Sequence, residues 1–169
     1  MCSSDLGEIK IGPQREGKPY AFGGPKATPT DAMIAKGLLN PAEIDWQEQP
    51  ISGKANRMDT TSTKAVEDIK QRADYIMATL GRKMNVDASV MADMVLTAMA
   101  DIIKKTVEGL LEDISARPVY TIKELLADRQ IEPQHLCIIG GSASVLAPIL
   151  ATKFGLPCYN PPNAHVANA

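Results

Sequence analysis

The chain has 169 residues, 44% of them hydrophobic and 22% charged, with a formal net charge of −2. That balance suits a globular domain with a real core and excludes a disordered chain, and without a basic block nucleic-acid binding has no electrostatic footprint. No apolar run approaches the ~20 residues a membrane span needs, so no membrane role is expected.

Three cysteines, Cys2, Cys137 and Cys158, are an odd number without metal-ligand spacing. They point to a reducing, cytoplasmic setting rather than a disulfide framework. His135 and His165, the two histidines, lie in no HxxxH or HxH pattern, so no zinc site is expected.

Residues Met1-Cys2-Ser3-Ser4-Asp5-Leu6 match the translation of a sequencing-adapter end, TGC-TCT-TCC-GAT-CT. Residues 1–6 are therefore expected to be a read artefact; a genuine short N-terminus is the competing reading. Residues 7–30 are rich in Gly and Pro and read as loop, with one short strand at Glu8–Ile11. Thr28-Pro29-Thr30-Asp31 then opens a short helix ending near Gly37. Thr28 is the N-cap, Pro29 suits the first helical position, and the Asp31 carboxylate meets the positive end of the helix. Residues 40–62 form a polar excursion that holds the single tryptophan, Trp46, as a local packing anchor.

Two helices follow. One is predicted from about Lys64 to Leu80, with Thr61 or Ser62 as cap and Gly81 as stop. The other runs from about Ala88 to Ser115 behind Asp87, and at 1.5 Å per residue it would extend about 40 Å. Met91, Met94, Val95, Ala98, Met99, Ile102, Ile103, Val107, Leu110, Leu111 and Ile114 recur at spacings of three and four. One face of this helix is thus expected to be buried along its length. A Met-rich partner groove is the competing reading of that stripe. Gly109 inside it costs roughly 1 kcal/mol relative to Ala, and marks a kink or a close approach.

After Pro118, Thr121-Ile122-Lys123-Glu124 forms a capping box for a short helix. A buried strand at His135–Ile139, a Gly140-Gly141-Ser142 turn, a helix from Val145 to Phe154 and a second strand at Pro157–Asn160 come next. Pro148 sits awkwardly in that helix, Gly155 stops it, and Asn163 caps a last helix. Alternating strand and helix predicts an α/β fold with a parallel sheet.

Gly140-Gly141-Ser142 is the most informative feature. A strand running into a helix leaves backbone N–H groups unpaired, the helix dipole adds about half a positive charge, and glycines admit a ligand close to the backbone. These suit a phosphate or a nucleotide; a plain tight turn fits the same residues. Rossmann and P-loop fingerprints are both absent. Gly23-Gly24-Pro25, ahead of the Thr28 cap, is a second glycine loop, with a well-capped helix as the simpler reading. Cys137 and Cys158 are expected to be inert core thiols. Ser142 and Ser144 lack the Gly-x-Ser-x-Gly of a nucleophile elbow, and His165 follows a Pro-Pro strand end where a cleft residue would fit.

Taken together, two segments carry a resemblance. Ala21-Phe22-Gly23-Gly24-Pro25-Lys26-Ala27-Thr28-Pro29-Thr30-Asp31-Ala32-Met33 resembles the Gly-Gly-Pro…Thr-Asp-Ala motif of the hydantoinase/oxoprolinase family, of the ATP-dependent A-subunit type. The run from Ile138 through Pro148, with Phe154-Gly155-Leu156-Pro157, Pro161-Pro162 and Val166-Ala167-Asn168-Ala169, resembles that family's C-terminal region. The resemblance implies one helix-rich α/β lobe of an actin-like (ribonuclease H-like) ATPase fold, truncated at both ends, with residues 7–169 as a partial C-terminal lobe.

Family members open cyclic amides such as hydantoins and 5-oxoproline with ATP, normally with Mg²⁺. By resemblance, Gly140, Gly141 and Ser142 form the adenosine-side loop, and Thr30 and Asp31 are weak catalytic candidates. A hydantoinase B-type subunit is an implied partner. The sequence departs from the family in lacking an Asp-x-Gly-Gly-Thr phosphate loop and a Gly-Gly-Thr-Thr-Thr-Asp segment, so the chain alone is expected to be inactive. A non-hydrolytic actin-like activator or reactivase, and an α/β interaction module without nucleotide, are the alternatives.

Overall fold

The computed structural model describes residues 2–5, 8–12, 17–44, 62–116 and 132–162. Two compact units divide the chain, Met1–Ala98 and Met99–Ala169. The Trp46 excursion, the Thr121 capping box, His165 and the final helix all lie outside the described residues.

The first unit opens with an antiparallel pair, β1 (Cys2–Asp5) and β2 (Glu8–Ile11), in the register Cys2↔Ile11 to Asp5↔Glu8. A 3-10 turn at Tyr20–Phe22 follows, ending in left-handed Gly23 at φ 92°. The Gly24 N–H donates to the Pro19 carbonyl at 2.8 Å, and the backbone is so close that a Cβ on Gly24 would sit 1.7 Å from the Lys18 carbonyl oxygen.

Helix α1 (Pro29–Ala35) begins at the Thr28 cap as the sequence predicts. It ends in a Schellman motif: Leu38 N–H donates to Met33 and Gly37 N–H to Ile34, with Gly37 left-handed at φ 66°.

Helix α2 (Thr63–Met84) is longer than its sequence signals suggest. The Ser62 hydroxyl accepts from the Ala65 N–H at its start, but Gly81 lies inside the helix rather than ending it. The stop is Asn85, left-handed at φ 56°, with Val86 N–H returning to the Gly81 carbonyl. Gly81 is needed for another reason: the chain turning into the next helix brings the Val86 carbonyl oxygen within 2.5 Å of where a Cβ would be.

Helix α3 (Ala88–Ala116) is capped by Asp87, whose carboxylate accepts from the Val90 N–H at 2.8 Å. Buried Ile69, Ala73, Met77 and Leu80 line one face of α2, and Met91, Ala92, Val95 and Leu96 line the first turns of α3. Ala21, Phe22, Ile34, Ile69 and Ala73 form one core cluster. Burying a side chain such as Phe22 contributes roughly 1.5–3 kcal/mol.

The second unit contains the rest of α3, then β3 (Leu136–Cys137), α4 (Ala143–Phe154) and β4 (Cys158–Tyr159). Strands β3 and β4 pair in parallel, Leu136↔Cys158 and Cys137↔Tyr159, giving the predicted α/β unit. Among the described residues this sheet has two strands, so burial alternates and one face stays open. Leu136, Ile138 and Cys158 are half-buried, while Cys137, Ile139 and Tyr159 are exposed. The expectation of a buried strand with Cys137 in the core is therefore corrected, since that thiol lies on the open face. The α3 stripe is likewise buried only through Ala100; beyond it Ile102, Leu110 and Ile114 are exposed.

Gly24→Ala is expected to destabilise the fold by about 2–4 kcal/mol, because the backbone at Lys18 and Pro19 must move to admit a methyl group. Gly141→Ala, where a Cβ meets nothing within 4 Å, should change stability by less than about 0.5 kcal/mol. Urea unfolding of the two variants measures both.

Candidate functional site

The Thr28–Asp31 segment folds around one carboxylate. Asp31 is fully buried at 0% exposure. One oxygen, Oδ1, accepts from the Ala21 N–H at 2.7 Å. The other, Oδ2, accepts from the Thr28 N–H at 2.8 Å, the Thr28 hydroxyl at 2.9 Å and the Tyr20 N–H at 3.2 Å. The Asp31 half of a capping box is thus made, and the Thr28 hydroxyl is spent on the same carboxylate.

Burial pushes the Asp31 carboxyl above its ordinary value of 3.8, and the hydrogen bonds from Ala21, Thr28 and Tyr20 offset only part of that. All of these donors are neutral. With four donors on two oxygens and no exposed surface, Asp31 is placed to hold the Tyr20–Phe22 turn against α1 and not to meet a substrate. Thr30, its neighbour on α1, is half-buried. The Tyr20 ring stacks on Tyr75 of α2, with centroids 6.3 Å apart, which fixes the turn from its other side.

In the second unit the Gly140–Ser142 turn leaves β3 and enters α4. Gly140 is buried at φ 121°, a conformation that L side chains rarely adopt. Its carbonyl accepts from the Ala143 N–H at 3.0 Å, and the Ser142 carbonyl accepts from Val145 and Leu146. Among the described residues, the Gly141 and Ser142 N–H groups have no partner, and the Ser142 hydroxyl makes no cap bond. Gly141 is exposed, with open space where a Cβ would be.

The Ile138 N–H donates to the Tyr159 carbonyl at 3.1 Å, which sets the start of the Asn160 loop beside the Gly140 turn at the carboxyl edge of the parallel pair. Ligands of open α/β sheets bind at that edge. Sequence reasoning found the turn and missed this neighbour, which only the strand register reveals.

Three contacts fix the far end of α4. Lys104 Nζ donates to the Lys153 carbonyl at 3.2 Å and lies 5.9 Å from the centre of the Phe154 ring, and Lys153 pairs with Asp101. Burial, then the nearby Cys137, pushes the Cys158 thiol up from its ordinary value. Among the described residues no group of three His, Cys, Asp or Glu side chains could hold a metal, and no helix is long and apolar enough to cross a membrane.

The family model of hydantoinase/oxoprolinase matches residues 1–169, the whole chain. The chain belongs to the hydantoinase/oxoprolinase family. Comparison with curated proteins and with solved structures gives no match. Hydantoinases and oxoprolinases are cyclic-amide hydrolases, and both glycine segments described above fall within the matched range.

In this hydantoinase/oxoprolinase chain, Asp31→Asn is expected to cost about 2–4 kcal/mol, since an amide –NH₂ must face backbone donors in a buried site. The deficit should grow on acidification. The raised carboxyl binds its proton more readily folded than unfolded, so wild type gains stability as pH falls through the folded pKa toward 3.8. The asparagine variant lacks that gain. Urea unfolding of both proteins between neutral and acidic pH measures the difference, in which the other carboxylates cancel.

Proposed function

We propose that this chain supplies the adenosine-side loop of an ATP-dependent cyclic-amide hydrolase, with Gly141 and Ser142 as the contact residues. The carrying observation is the Gly141 and Ser142 N–H groups, which have no partner among the described residues, in a turn beyond β3 where a Cβ on Gly141 would meet nothing within 4 Å. A nucleotide's sugar and phosphate oxygens accept such bonds, and the positive end of α4 favours their charge. Gly140, at φ 121°, holds a backbone conformation that L side chains rarely adopt, and the absent side chain at Gly141 leaves the backbone there open to a ligand.

Bound ATP would supply a phosphoryl group to activate the amide oxygen of a hydantoin or 5-oxoproline ring toward water. In this reading the chain's own residues bind and orient the nucleotide. Among the described residues no group of three His, Cys, Asp or Glu side chains could hold a metal ion, and no step is assigned to a metal held here. A hydantoinase B-type subunit is the proposed partner and the cytoplasm the proposed compartment.

ATP titration of the 169-residue chain by calorimetry tests the reading. Gly141→Asp sets a carboxylate beside the anion and should weaken binding at least about tenfold, or roughly 1.4 kcal/mol. Gly141→Ala, which sets only a methyl group on that approach, should weaken binding by less than the aspartate variant. Equal affinity for the aspartate variant, or no binding by wild type, would show that the turn is not a nucleotide site. Ring opening is expected to be absent from the chain alone, which lacks the phosphate-loop motifs. ADP release coupled to 5-oxoproline opening would contradict that.

A further inference from the structure

We draw no further inference here: the strongest candidate, the open face of the β3–β4 sheet with exposed Cys137, Ile139 and Tyr159, is an unpartnered apolar face, and nothing in the structure shows what covers it.

Discussion

The first unit is organised around a charge that has left water. Asp31 has no exposed surface, and its carboxylate takes hydrogen bonds from Tyr20, Ala21 and both donors of Thr28. Neutral donors offset desolvation only in part, which is why its carboxyl titrates high. Such a group contributes little net stability while intact, yet removing one partner leaves the others buried and unsatisfied. The geometry is therefore all-or-none. Once Asp31 is in place, the Tyr20–Phe22 turn must lie on α1, Phe22 enters the core beside Ile34 and Ile69, and Gly24 is pressed onto the Lys18 carbonyl. A side chain so fully engaged is a poor general base and an effective strut.

This arrangement explains which parts of the fold were legible in the sequence. Helix starts were, because their chemistry is local: Thr28 with Pro29, Ser62 and Asp87 all stand where their own helices begin. The Asp31 bonds to Tyr20 and Ala21 were not, since they link residues ten and eleven positions apart through backbone N–H groups that no side-chain pattern advertises. Gly81 misled for a related reason. A glycine late in a helical pattern normally means a stop, but here the stop falls on Asn85, and the glycine answers to a carbonyl five residues downstream. Burial was the least legible property. The periodicity of α3 runs unbroken to Ile114, yet full burial ends at Ala100, with Ile103, Val107 and Leu111 half-buried and Ile102, Leu110 and Ile114 exposed, because a helix's apolar stripe records that it will be covered without recording by what. The Cys137 strand fails in the same way: its apolar run reads as doubly buried, and a two-stranded sheet covers one face.

The glycine pairs sharpen what counts as evidence for a site. Gly23 is demanded by a left-handed backbone and Gly24 by a carbonyl in the space of its missing methyl, so packing accounts for both and the loop needs no ligand to explain it. At Gly140 the backbone conformation again suffices. Gly141 differs from all three. Its φ is not in the left-handed region, no described atom lies near its absent Cβ, and its N–H and the next have no partner among the described residues. A residue that the fold does not require to be glycine, next to one that it does, is where an external acceptor would account for the choice. In the first unit the carboxylate of Asp31 already fills the analogous role, taking the N–H groups of the turn that precedes α1. An anion at α4 would do for Gly141 and Ser142 what Asp31 does for Tyr20 and Ala21. The two ends of the hydantoinase/oxoprolinase chain would then solve the same problem, exposed backbone donors, one with an internal carboxylate and the other with a bound one.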